Sequence, residues 1–126
     1  MFKFIKPVYA HCDLPCGVYD PAQARIEAES VLNIQKKYKD LHDEDKIRAI
    51  FIKEQRADLV KQHLWVLWTD YFKPEHLERF PNLHDLFWKT TKQAGNVKKS
   101  IDPIEGERLL SMIDEITEIF KETKKA

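Results

Sequence analysis

Glycine is scarce, with three in 126 residues against a typical usage of roughly 7%. Tight hairpin turns lean on glycine more than helix links do, so the deficit argues against strands and for helices. Cysteine is scarcer still, and the two present, Cys12 and Cys16, could close only a small loop. Such a loop stabilises little by chain-entropy arguments, and nothing else resembles the framework of a disulfide-stapled secreted domain. No apolar run approaches the roughly 18 residues a membrane-spanning helix needs, which excludes a transmembrane role. An excess of one charge is missing too: 21 Lys plus Arg balance 21 Asp plus Glu, so no overall field holds nucleic acid or an acidic membrane. Internal repeats, low-complexity tracts and interdomain linkers are also absent.

What remains is the composition of a soluble globular protein, 43% hydrophobic and 33% charged, long enough for one core and too short for two. The first ten residues, MFKFIKPVYA, carry two lysines, and Lys6 and Pro7 interrupt any apolar stretch of signal-peptide length. We read residues 1–10 as a pro-segment removed on maturation and the chain as cytoplasmic. Residues 11–19 then form a distinct unit ahead of the helical body, residues 20–126.

Four helices are expected in that body. Asp20 caps the first, with Pro21 at its first position and Gln23 where a capping box wants it. It runs through Ala24, Ala28, Val31, Leu32 and Gln35 and ends among Lys36, Lys37 and Lys39. Asp43, Glu44 and Asp45 open the second and longest, whose apolar positions Ile47, Ile50, Phe51, Ala57, Val60, Leu64, Leu67, Trp68 and Tyr71 follow a 3.6-residue period until Pro74. Pro81 opens a third, carrying Leu83, Leu86, Phe87 and Ala94 and ending near Gly95. Asp102-Pro103 repeats the Asp-Pro start, and Ile104, Leu109, Met112, Ile113, Ile116, Ile119 and Phe120 form the fourth stripe. Short links make this an all-α, antiparallel four-helix bundle.

The stretch His11 to Tyr19, HCDLPCGVY, does not belong to the bundle pattern. Cleavage after Ala10 would leave His11 with a free amine. That amine and the Cys12 amide nitrogen form one five-membered chelate ring, and the Cys12 amide and thiolate form another. Cys16 can bend back as a fourth donor if Pro15 and Gly17 permit a sharp return. A planar set of two nitrogens and two sulfurs suits nickel or copper, whereas zinc prefers a tetrahedron. The His11 imidazole stays available as an axial ligand. Thiolate and amidate donors stabilise a higher-valent metal, so one-electron chemistry follows.

The residues HCDLPCGVYDPAQARIE resemble the N-terminal nickel hook of the nickel superoxide dismutases. IKEQRA at Ile52 to Ala57, LWTDYFKP at Leu67 to Pro74 and the terminal ETKKA are similar to that family as well. The resemblance implies a homohexamer of four-helix bundles that converts superoxide anion to oxygen and hydrogen peroxide, with one nickel ion per subunit cycling between Ni(II) and Ni(III). It implies ligands from His11, Cys12 and Cys16, and orientation of the imidazole by Glu27 and Arg56. Asp13 and Tyr19 match hook positions that shape the approach to the metal, Tyr19 as a group positioning superoxide, and Tyr71 matches a second tyrosine nearby. A processing protease and a nickel-delivery factor are the implied partners.

Blander readings stand beside these. Spacing alone leaves Cys12 and Cys16 open to being structural thiols or a redox disulfide. His42, His63, His76 and His84 sit at no ligand spacing and read as surface or core-edge residues. Trp65, Trp68, Trp88 and Tyr71 suit a core or an interface, and Lys73 is an ordinary surface charge that could steer a small anion. A non-catalytic nickel or copper carrier, and a helical module with a disulfide, are the rival functions.

Overall fold

The computed structural model describes residues 16–125. Among these it is helical throughout: α1 (Ala22–Lys37), α2 (Asp43–Val66), α3 (Pro74–Arg79), α4 (Leu83–Lys99) and α5 (Pro103–Lys124). A 3-10 turn, Tyr38–Asp40, links α1 to α2, and α2 relaxes into a π-helical turn over Leu67–Tyr71. The long helices pack in a ring, α1 on α2, α2 on α4, α4 on α5 and α5 back on α1. Chain neighbours joined by short links run antiparallel, so this ring is the expected four-helix bundle, with α3 as a short bridge.

Local chemistry sets the helix starts. The Asp20 carboxylate accepts from the Ala22 amide at 2.9 Å, one residue short of the Gln23 amide that a capping box would use. Asp102 does the same for Ile104 at 3.0 Å, with Pro103 at the first helical position. Lys36 and Lys37 lie in the last turn of α1, where cations suit the dipole.

Three expectations need correction. Pro74 opens the six-residue α3 instead of ending all helix there, because a first helical position needs no amide hydrogen. α4 runs through Gly95 to Lys99; its end is set by extended backbone at Ser100 ahead of the Asp102-Pro103 start. Ile47 and Phe51, counted as core, are 73% and 74% exposed, and Ile104 is 59% exposed.

The core itself is aliphatic at mid-bundle: Ala28, Val31, Ala57, Val60, Leu64, Ala94, Val97, Leu109, Ile113 and Ile116 are fully buried. Gly106 lets α1 and α5 approach closely near the end of α1; a Cβ on it would meet the Leu32 Cα at 3.2 Å. No described helix is long and apolar enough to cross a membrane.

Candidate metal centre

Antiparallel packing brings the start of α1, the end of α2 and the end of α5 to one end of the bundle. The residues leading into α1 lie there. Cys16 is exposed, and its sulfur accepts from the Val18 amide at 3.4 Å while lying 3.7 Å from the Val18 carbonyl. Between them Gly17 takes φ of 70°, a left-handed conformation that costs other residues about 1 kcal/mol or more. His11 and Cys12, toward which a return of the chain was expected at Gly17, lie outside the described residues.

Beyond the turn, Tyr19 packs against the core and tilts toward Tyr71, ring centroids 5.7 Å apart. Gly17, Tyr19, Asp70, Tyr71, Lys73, Glu75 and His76 line a pocket of about 320 Å³. Tyr71 is firmly held: Phe120 at 4.7 Å and Phe72 at 5.0 Å flank its ring, and His76 stacks on it at 5.7 Å with planes 8° apart. Its hydroxyl lies 2.7 Å from Thr123 Oγ1. The π-turn at Leu67–Tyr71 carries Tyr71 into this position; such wide turns often mark functional sites.

Glu27 and Arg56 also meet. Arg56 Nη1 donates to both Glu27 oxygens, at 3.1 and 3.2 Å, joining α1 to α2. The carboxylate is only 12% exposed but the guanidinium 41%, so solvent still screens the pair and its contribution stays within the surface range of about 0–1 kcal/mol. Neither residue lines the tyrosine pocket.

His11, Cys12 and Asp13 lie outside the described residues. Among those described, no three His, Cys, Asp or Glu side chains cluster as a metal cage. The donor set read from sequence nonetheless fits nickel: Cys16 presents its sulfur at the surface, an amide hydrogen points at that sulfur, and a left-handed glycine follows it. An amine, a peptide nitrogen and a second thiolate would come from His11 and Cys12. Soft anionic sulfur with nitrogen suits a tetragonal metal.

Of the histidines, His42 and His84 are exposed and His63 and His76 half-buried, as surface and core-edge residues should be. His76 does more than that reading allowed, since its Nδ1 accepts from the Lys73 amide at 3.0 Å while its ring backs Tyr71. Thr123 was missed as well. The only pointers were the family-like stretches LWTDYFKP, which carries Asp70, Tyr71 and Lys73 of the pocket, and ETKKA, which contains Thr123.

Comparison with known proteins places these features. The model of the family described as nickel-containing superoxide dismutase matches residues 6–124. The chain is similar to the superoxide dismutase [Ni] of Streptomyces seoulensis, 59% identical over 122 residues, covering 94% of this chain and 92% of the relative. That of Streptomyces coelicolor is 57% identical over 120 residues, with the same coverage. Among solved structures, a native nickel superoxide dismutase superposes with a TM-score of 0.89 at 56% identity, covering 92% of this chain and 100% of that one. Its oxidised-state counterpart gives 0.88 at 58% identity with the same coverage.

Proposed function

The chain belongs to the nickel-containing superoxide dismutase family, and from that premise we propose that residues 11–19 form its nickel hook, residues 20–126 the bundle carrying the hook, and residues 1–10 a pro-segment removed on maturation. It is an oxidoreductase that converts superoxide to oxygen and hydrogen peroxide, and its metal is nickel. His11 holds the ion through its amine and imidazole, Cys12 through its amide nitrogen and thiolate, and Cys16 through its thiolate. When bound, nickel supplies one-electron chemistry between Ni(II) and Ni(III), one ion per subunit.

The chain's own residues do the rest. Trimming after Ala10 turns a peptide nitrogen, which deprotonates only with difficulty, into an amine that chelates together with the Cys12 amide. Gly17 supplies a left-handed turn directly after Cys16. Glu27, pinned by Arg56, orients the His11 imidazole, as outer partners commonly do for metal-bound histidine. Asp13 shapes the hook. Tyr19 and backbone amides position superoxide, with Lys73 on the pocket rim drawing the anion in. Water or nearby groups deliver the protons.

The pro-segment reading has support in length: the solved relatives, matched over their whole length, leave uncovered about the share of this chain that ten residues make. A homohexamer is supported by large apolar side chains that a lone chain leaves in water, Ile47, Phe51, Trp65 and Trp88, each more than half exposed. A cytoplasmic site, a processing protease and a nickel-delivery factor complete the proposal.

The observation that carries it is the left-handed turn at Gly17, which follows Cys16 directly and itself lines the Tyr19–Tyr71 pocket. Protein lacking residues 1–10, confirmed by intact mass and supplied with nickel, should bind one ion per chain and accelerate superoxide loss in pulse radiolysis. Failure to bind nickel would sink the hook. Stoichiometric nickel with decay no faster than in buffer would make the chain a metal carrier instead.

A further inference from the structure

Thr123, near the C-terminus of α5, stands outside every role assigned above, yet it is the hydrogen-bond partner of Tyr71. The two oxygens are 2.7 Å apart, and distance alone allows either to donate. The rest of the geometry decides between them. Thr123 Oγ1 also lies 2.6 Å from the Phe120 carbonyl oxygen, which can only accept. A threonine hydroxyl has one hydrogen. That hydrogen is spent on Phe120, so toward Tyr71 the Thr123 oxygen has only lone pairs to offer.

We infer that Thr123 is a positioning residue that draws the Tyr71 phenol proton toward α5, leaving Tyr71 able to act on the pocket only as a hydrogen-bond acceptor. The consequence is chemical selectivity. Any group meeting the phenol oxygen from the pocket must bring a hydrogen, as water or a protonated peroxide does. A bare superoxide anion brings none, and meets lone pair against lone pair. Anion recognition therefore falls to donors, among which Lys73 lines the same pocket.

The tyrosine has little freedom to evade this arrangement. His76 stacks on one face of its ring, Phe120 and Phe72 flank it, and Lys124 Nζ sits 5.1 Å from the ring centroid. His76 is itself fixed, because its Nδ1 is occupied by the Lys73 amide hydrogen. Rotation of the phenol about its long axis leaves the oxygen where it is, and only the O–H direction remains to be set. Thr123 sets it.

The functional weight of this inference rests on Tyr71 belonging to the proposed site, whereas the hydrogen-bond direction does not. The test uses the full metal-free chain and the tyrosine Fermi doublet in Raman spectra, whose intensity ratio separates phenols that donate from phenols that accept. Subtracting the spectrum of Tyr71→Phe isolates Tyr71. A donor-type ratio is expected in the wild-type chain, kept in Thr123→Ser, which retains the hydroxyl, and lost in Thr123→Val. An acceptor-type ratio in the wild-type chain would overturn the inference, as would equal ratios in the serine and valine variants. Absence of dismutase activity with a donor-type ratio intact would count against the proposed function and leave the direction of this bond standing.

Discussion

The two ends of the bundle treat polar side chains in opposite ways. Where α1 begins and α2 and α5 finish, polar groups face open space: Tyr19, Tyr71, Lys73 and His76 line a pocket with Gly17, and Cys16, which precedes Gly17, is exposed. At the far end polar groups are buried and their nitrogens donate to backbone, while Gln35 Oε1 has no hydrogen-bond partner among the described residues. Lys53 is 2% exposed and donates to the Val97 and Lys98 carbonyls at 2.8 and 2.6 Å, and Gln35, also 2% exposed, donates to the Ser100 carbonyl at 3.0 Å. The Lys53 ammonium thereby closes the C-terminal end of α4, where the helix dipole favours a cation. Polar side chains serve binding where space for a ligand remains, and serve folding where main-chain groups already satisfy them.

If this contrast is sound, substitutions at the first end should alter metal and turnover while sparing the fold. The largest effect is expected for Cys16→Ser in the trimmed chain: nickel content falls to background and superoxide decays as in buffer, while the melting of the metal-free chain stays unchanged. Loss of helical structure in that variant would break the division between the ends. Glu27→Gln comes next. It keeps the shape but removes the charge that holds Arg56, and should lower nickel affinity or turnover by about 10–100-fold, with stability changed by about 1 kcal/mol at most. Equilibrium nickel titration alongside stopped-flow turnover would tell the two apart.

At the far end the order reverses. Lys53→Met removes the ammonium donor from the buried Val97 and part-buried Lys98 carbonyls, the first of which keeps the Ser100 amide, and should cost about 1–3 kcal/mol in denaturant unfolding, with nickel loading untouched. Burial holds the Lys53 pKa below its ordinary 10.5. The folded chain therefore sheds this proton at a lower pH than the unfolded chain. Between those two points the unfolded state binds more protons, so the stability contribution of Lys53 rises with pH. Unfolding at increasing alkaline pH should thus widen the gap between wild type and Lys53→Met. A gap that narrowed would mean the buried ammonium, not the neutral amine, is the favoured form there.

How far these ends were legible beforehand follows from the range of the interactions. Asp102-Pro103 marked a helix start at the expected positions and Asp20-Pro21 one to within a residue, α1 beginning at Ala22 with Pro21 at its cap, because such starts are set within a few residues of chain. Gly95 misled for the same reason turned round: glycine after a helical run is a common stop signal, but the stop here comes from Ser100 to Pro103 beyond it. Ile47 and Phe51 kept helical period, yet period does not say whether an apolar face meets its own core or another chain. Lys53 gave no local sign at all, since its partners lie in α4. The proposed site divides similarly. The proposed chelating set of His11, Cys12 and Cys16 is short-range, but spacing alone left its cysteines open to other readings and the family resemblance chose between them. Glu27 with Arg56, and Tyr19 with Tyr71, came only through family resemblance, and the roles of His76 and Thr123 arise from stacking and proton direction, which no motif encodes.

The smallest effect expected is also the one that separates backbone from side chain at the hook. Gly17 is the sole residue of positive φ among those described, and a Cβ built on it meets nothing within 4 Å. Gly17→Ala therefore introduces no clash and strains only the left-handed turn, at about 1 kcal/mol. Because the turn precedes α1, unfolding of the bundle should hardly register the change. Nickel affinity of the trimmed chain should fall about fivefold, the ratio that such an energy sets, and Gly17→Asn, which visits the left-handed region more readily, should recover part of the loss. Equal nickel affinity in the wild type and Gly17→Ala would mean the Cys16 sulfur reaches the metal through a different backbone conformation, and the contrast between the ends would then rest on the side chains alone.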